Sequence, residues 1–246
     1  MESCEKVNPY GSDGRRKSQQ VREMFDNIAP AYDFMNRAMT LGGIDKLWRR
    51  KAIRMLAADR PSRILDVATG TGDLAIQLAR RIPGSEVTGI DLSEGMIEVG
   101  RRKVDRASLA DRITLRQGDC LQLPFADATF DAVTVAYGVR NFENLEQGYR
   151  EMLRVLRPGG RLIVIELSTP RNPLVKPLYR AYTRWMIPAV GRLVSKDVRA
   201  YSYLPESIAA VPQREKMTAI MDRVGFSDTA FRSLTLGVCC IYSATK

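Results

Sequence analysis

Three carboxylates, a glycine pair and an Arg-Asn dipeptide are the residues of this chain whose types and spacing could do chemistry. Asp66 ends a short apolar run, and Gly70-Thr71-Gly72 follows it in a turn too tight for bulky side chains. A glycine loop between a strand and a helix lets a ligand lie against bare backbone, near N–H groups at the helix N-terminus. Gly70-x-Gly72-x-x-Ala75 fits the permissive dinucleotide fingerprint, but the same geometry serves S-adenosylmethionine. Asp66 would repel a pyrophosphate and could receive the ammonium of a methionine, directly or through water. Asp91 lies about twenty residues past the loop, where a carboxylate accepts both ribose hydroxyls of an adenosine. Asp119, just past a third strand, can accept from the exocyclic amine of adenine. Arg140-Asn141 follows a fourth strand, and ligands of open α/β sheets sit beyond the carboxyl ends of strands.

The chain has no histidine, so composition excludes a histidine base or a histidine-built metal site. Its four cysteines, Cys4, Cys120, Cys239 and Cys240, lack ligand-pair spacing and read as reduced thiols of a cytoplasmic protein. No metal is expected. The net charge is +10, with basic residues in scattered groups such as Arg49-Arg50-Lys51, read as solvated surface. No basic stripe is interleaved with aromatics, which argues against a nucleic-acid partner and leaves attraction to an anionic membrane face. No apolar run is long enough to span a bilayer, and the polar first twenty residues are no secretory signal.

The elements that must position these groups read as one domain over 18–246 behind a disordered tail over 1–17. A helical cap covers 18–60, with Pro30 and Gly42-Gly43 as breaks. Strands are expected at Ile64–Val67, Glu86–Asp91, Arg112–Gln117, Asp131–Ala136 and Arg161–Glu166, alternating with helices. Arg157-Pro158-Gly159-Gly160 reads as a sharp stop before the fifth strand. Residues 170–225 read as a helical insertion rich in aromatics (Tyr179, Tyr182, Trp185, Tyr201, Tyr203), a core cluster or an apolar entrance on the substrate side. Phe226–Leu234 and Val238–Thr245 close the chain as an antiparallel hairpin. The expected fold is α/β: a Rossmann-like, doubly wound, seven-stranded, mostly parallel sheet.

The combination of Asp66…Gly70-x-Gly72, Asp91, Gly118-Asp119, Pro158-Gly159-Gly160 and the terminal hairpin resembles the class I S-adenosylmethionine-dependent methyltransferases. More narrowly, Tyr32-Asp33-Phe34-Met35-Asn36 running to Trp48, Tyr137-Gly138-Val139-Arg140-Asn141, and Arg154 to Gly160 with Glu166-Leu167-Ser168 resemble the signatures of the quinone-biosynthesis C-methyltransferases. The resemblance spans about residues 20–246. It departs at Thr40 and Asp45, where that family commonly has serine and histidine.

The resemblance implies S-adenosylmethionine as donor and methylation of a ring carbon of a reduced polyprenyl quinone. Demethylmenaquinol is the expected acceptor, with a 2-methoxy-6-polyprenyl-benzoquinol as the alternative. It implies that Thr71, Asp91, Asp119 and Cys120 line the cofactor pocket beside Asp66, Gly70 and Gly72, with Cys120 acting through its backbone. Arg140 is the candidate for holding the developing oxyanion and Asn141 for orienting the ring oxygen, with Tyr32, Asn36 and Tyr137 as walls. The enzyme is expected in the cytoplasm, in peripheral contact with an anionic membrane; a homodimer is left open. The rival readings are an NAD-dependent oxidoreductase, a binding protein that kept the fold, and a methyltransferase for another small acceptor. A Tyr-x-x-x-Lys pair would favour a short-chain dehydrogenase, but the chain has only Tyr242 and Lys246, at its extreme C-terminus.

Overall fold

A computed structural model describes residues 4–11, 14–40, 43–186 and 198–246. Gly42, one of the expected helix breaks, lies outside these residues, as does the side chain of Tyr201.

In β1 (Arg63–Val67), Ile64, Leu65 and Val67 are fully buried, and Asp66 is buried among them. Alternate residues face opposite sides of the sheet, as the two-residue period of a strand requires. Ile64 joins the apolar layer of α3 (Ile44–Ala57) and α4 (Asp73–Arg81). Leu65 and Val67 join the layer of α6 (Leu145–Val155) and α9 (Glu215–Val224). The remaining strands are β2 (Glu86–Asp91), β3 (Ile113–Gln117), β4 (Phe130–Ala136), β5 (Leu156–Leu167), β6 (Ser227–Leu234) and β7 (Cys239–Thr245). They form one seven-stranded sheet in the order β3-β2-β1-β4-β5-β7-β6. The pairs from β3 to β5 are parallel, and β7 runs antiparallel to both β5 and β6. Strand order reverses between β1 and β4, so a crevice opens beyond their carboxyl ends.

The cap consists of α1 (Lys17–Ile28), α2 (Tyr32–Met39) and α3. Helix α5 (Glu94–Arg106) packs between it and β3, its N-terminus capped by the Ser93 hydroxyl, which accepts from Met96 N at 3.0 Å. Within the insertion, α7 (Val175–Ala181) continues as a wider turn over Tyr182–Met186, and α8 spans Val198–Ala210.

Two expectations are corrected. Much of the 1–17 tail is ordered rather than disordered. Cys4 sits fully buried in the core, and Glu5 accepts from the backbone N–H of Leu145 at 2.9 Å, at the start of α6. One small apolar side chain and one capping carboxylate suffice to dock a segment whose composition is otherwise polar. Arg157–Gly160 is not a stop before the strand but part of β5. The chain's last residue stitches it down: Gly159 N donates to the Lys246 carbonyl at 2.9 Å, and Lys246 N donates to the Gly160 carbonyl at 3.0 Å.

Candidate active site

The loops after β1 and β4 meet at the crevice. Gly138 has no room for a side chain, because a Cβ there would lie 2.6 Å from that of Ala68. Ala68 and Tyr137 both hold left-handed backbone, at φ 53° and 60°. Strain of this kind costs on the order of 1–3 kcal/mol per residue and persists where surrounding structure imposes it. Gly72, also left-handed at φ 74°, starts α4.

Three cavities share this junction. The first, about 720 Å³, is lined by Ala68, Gly70, Asp91, Asp119, Cys120 and Asn141, with Phe25 and Tyr32 from the cap. Each Asp91 oxygen accepts one backbone N–H, from Gly70 at 2.8 Å and Ser93 at 3.0 Å. Each keeps a lone pair for a vicinal diol. Burial raises the Asp91 carboxyl above its ordinary range. Asp119 is fixed by accepting from Leu121 N at 2.8 Å. Burial pushes the Cys120 thiol far up, so its sulfur stays protonated.

The second, smaller cavity is lined by Asp66, Thr71, Arg49, Tyr32 and Tyr137. Asp66 accepts from the hydroxyls of Thr69 at 2.6 Å and Thr134 at 2.8 Å. Burial nevertheless raises its carboxyl to about 6, against the pull of those two hydroxyls. Thr71 donates to Asp33 at 2.6 Å. Lys103 then binds Asp33 at 2.6 Å and Asp73 at 2.5 Å, and Arg49 binds Asp73 at 3.1 Å. This network ties cap, glycine loop and α5 together. Gly72 lines none of the cavities; its part is the turn.

The third cavity is larger, about 1240 Å³ measured out to its open mouth, and mostly apolar. Tyr32, Asn36, Trp48, Tyr137, Leu178 and Tyr179 are among its walls, and its cations are Arg49 and Arg140. Arg140 pairs with the buried Glu166, Nη1 to Oε1 at 2.9 Å, and also donates to the Tyr137 carbonyl. Burial is the largest single effect and opposes its charge, but Glu166 and the smaller contributions of Tyr32 and Tyr203 together raise the guanidinium above its ordinary value. Three buried polar atoms among these walls have no protein partner: Arg140 Nε, Arg49 Nε and the Tyr137 hydroxyl. The Arg49 guanidinium stacks 5.6 Å from the Tyr137 ring centroid. Unpaired donors cost free energy when buried, so such atoms mark a place where a ligand oxygen belongs.

Most of the expected site residues thus converge, and Tyr32 and Tyr137 line all three cavities. Asn141 lines the first cavity and shares a further small cavity with Arg140, Tyr32 and Asn36, its amide oxygen accepting from Tyr203 at 3.1 Å. Arg49 was expected on the solvated surface, but is 6% exposed while Arg50 beside it is exposed. Its spacing to Asp45, four residues earlier on α3, is the readable signal for this inward turn. Lys17 gave no such signal. It is buried, and its ammonium donates to the carbonyls of Cys4 at 2.5 Å and Arg140 at 3.0 Å. Among the described residues no cluster of ligands suits a metal ion.

The fold recurs in solved structures of low identity. The [4+2]-cyclase SpnF matches at TM-score 0.60 and 20% identity, covering 93% of this chain and 96% of its own. A SAM dependent methyltransferase from Aquifex aeolicus matches at TM-score 0.51 and 20% identity, covering 75% of this chain and 81% of its own. These likenesses establish the fold alone. Curated relatives are much nearer. A demethylmenaquinone methyltransferase of Bacteroides fragilis is 52% identical over 98% of both chains, and one of Porphyromonas gingivalis is 50% identical over the full length of both. A ubiquinone/menaquinone biosynthesis C-methyltransferase of Geobacter sulfurreducens is 46% identical over 94% of this chain and 90% of its own. The model of the ubiE/COQ5 methyltransferase family matches residues 14–246, which include every cavity wall described above, and the chain belongs to that family.

Proposed function

We propose that this enzyme methylates a ring carbon of demethylmenaquinol, and that Arg140 is the residue that stabilises the reacting ring. The enzyme class and its donor, S-adenosylmethionine, follow from family membership. The acceptor is inferred from the relatives of 50% identity or more in Bacteroides fragilis and Porphyromonas gingivalis, which are named for demethylmenaquinone. The observation that carries the reading is the meeting of a cavity that holds the Asp91 and Asp119 carboxylates and a larger apolar one at Tyr32 and Tyr137, with three unpartnered polar atoms on the apolar side.

The residues present fit the donor. Asp91 has free lone pairs for a ribose diol, Asp119 stands where an adenine amine would reach it, and Asp66 and Thr71 line the cavity suited to the methionine end. Asn141 belongs to this side. When bound, S-adenosylmethionine supplies a methyl group already activated on a sulfonium. What remains for the protein is alignment and stabilisation of the ring oxygen as it loses its proton. Arg140 Nε donates to that oxygen as its proton passes to solvent. Once the methyl is on the ring carbon, that carbon gives up its hydrogen as a proton to solvent and the oxygen is reprotonated, which restores the quinol with the net release of one proton. Glu166 fixes the guanidinium but leaves Nε free. Tyr137 and Arg49 offer the second set of donors, for the para oxygen of the quinol. Tyr32 and Asn36 wall the ring from the cap side.

No helix among the described residues is long and apolar enough to cross a membrane. In this reading the polyprenyl tail reaches the apolar cavity from a bilayer that the protein touches from the cytoplasmic side. The test is calorimetric titration with S-adenosylhomocysteine and NADH in parallel, then methyl transfer to demethylmenaquinol and to 2-methoxy-6-polyprenyl-benzoquinol. Binding of the sulfur nucleoside alone and turnover of the naphthoquinol are expected. NADH binding, or turnover of the benzoquinol alone, would overturn the assignment.

A further inference from the structure

The described residues include seven large apolar side chains that are exposed, and all seven sit on the segments that build the apolar cavity. Leu174 (80% exposed), Leu178 (73%), Trp185 (71%) and Met186 lie at the N-cap of α7, on α7 and on the turn after it. The inner side of the same segment, Val175, Tyr179 and Tyr182, lines the cavity. This element is apolar on both faces. Phe34 is on α2 two residues from the wall residue Asn36, Leu47 is on α3 beside Trp48, and Leu236 follows the wall residue Thr235. Exposed apolar residues scattered singly need no explanation, but a collar around one cavity does.

Along α7 and its continuation the charge has one sign. Residues 167–196 contain no aspartate or glutamate, while Lys176, Arg180 and Arg184 interleave the apolar positions of α7 and its continuation. Leucine and tryptophan flanked by cations is the composition of a surface that lies in the interface of an anionic bilayer. A second copy of this chain would bring the same cations against one another.

We propose that α7 and the turn Tyr182–Met186 dock this protein on anionic lipid, with the cavity mouth opening into the acyl region. The inference rests on the polyprenyl-quinol reading above. It explains how the ring can enter the cavity while the tail stays in the bilayer: the protein's own apolar rim continues the lipid phase.

The experiment uses the full chain, vesicles of phosphatidylcholine with and without phosphatidylglycerol, and tryptophan emission. The chain has two tryptophans, and Trp48 is buried. Anionic vesicles should shift the emission to the blue and brominated acyl chains should quench it, and Trp185→Phe should abolish both effects. Leu174→Glu/Trp185→Glu should lower vesicle partitioning by at least about tenfold. Arg180→Gln/Arg184→Gln should lower it by about fivefold for each cation, on anionic vesicles only. Affinity for S-adenosylhomocysteine and turnover of a tailless quinol should stay unchanged in both variants. Absence of vesicle binding at low salt, or binding of the acidic variant as tight as wild type, would overturn the proposal. So would a dimer in sedimentation velocity that the acidic variant dissolves. Vesicle docking as described without methylation of any quinol would instead refute the functional reading and leave the docking surface standing.

Discussion

Arg140→Lys isolates the assigned role of Arg140 better than truncation does. Arg140→Ala would strand Glu166, which is 1% exposed, and breaking a buried pair costs about 3–5 kcal/mol. Part of that loss would be offset, because Glu166 keeps backbone donors at Leu167 N, 2.8 Å, and at residue 140 N, 3.3 Å. Any loss of activity would still be mixed with loss of fold. Lysine keeps the positive charge beside Glu166 but is a point donor without the guanidinium fork. It can serve Glu166 or the ring oxygen, not both. Removing one donor from a developing oxyanion costs about 2.7–4 kcal/mol, or roughly 10²–10³ in kcat. Arg140→Lys should therefore lower kcat by about that factor, with melting little changed and S-adenosylhomocysteine affinity within about twofold by titration. Single-turnover methyl transfer at saturating quinol is the assay. A kcat within about fivefold of wild type, or a parallel loss of nucleoside affinity, would refute the assignment.

Asp66→Asn should raise stability while weakening the donor. The Asp66 carboxyl is raised from 3.8 to about 6 by burial, so between those values the folded state holds the extra proton and stability falls as pH rises. The penalty above pH 6 is roughly 3 kcal/mol, which asparagine removes, and chemical denaturation at pH 7.5 and 4 should show the gain only at the higher pH. Nucleoside affinity should drop about tenfold or more; unchanged affinity would remove Asp66 from the donor site. Lys17 is lowered from 10.5 to about 8 by burial, so the unfolded state holds the extra proton between these values and stability rises with pH there. The difference in stability between wild type and Lys17→Met should grow by up to roughly 3 kcal/mol from pH 8 to 10.5. A flat difference would mean that the ammonium is hydrated. Tyr137→Phe deletes a hydroxyl without a partner, so melting should hold or rise by about 1 kcal/mol, while KM for quinol rises at unchanged nucleoside affinity. A loss of stability would show that the hydroxyl is satisfied in the free protein.

The residues proposed for the donor are legible as a group because they follow one another along the chain. A strand, a glycine turn and a helix place Asp66, Gly70 and Asp91 by local geometry, and the two-residue alternation fixes which way they face. The acceptor half is assembled from segments more than a hundred residues apart, so spacing carried little of it. Arg49 sits in a run of three cations of which it turns inward, and only its Asp45 neighbour hints at that. Glu166 reads as the end of an apolar strand, yet it decides how Arg140 is held. Asn141 also lines the cavity of Asp91 and Asp119, which its place in a loop dipeptide does not reveal, since sequence does not say how adjacent loop side chains divide between two cavities. The first residues look disordered because composition averages over a segment, whereas Cys4 and Glu5 are anchored by core packing and by specific bonds to Lys17 and Leu145.

The bond from Asp33 to Thr71 has a consequence for the order of events. The cap helix that carries Tyr32 over both cavities is latched to the glycine loop by this bond and by Lys103. Thr71 and Tyr32 both line the cavity assigned to the methionine end, so a quinol ring seated against Tyr32 would close that end over the donor. The expected order of turnover is donor first on, spent nucleoside last off. Spent nucleoside should accordingly inhibit competitively against the donor and noncompetitively against the quinol, making the cell's rate of clearing it a control on the flux of this step.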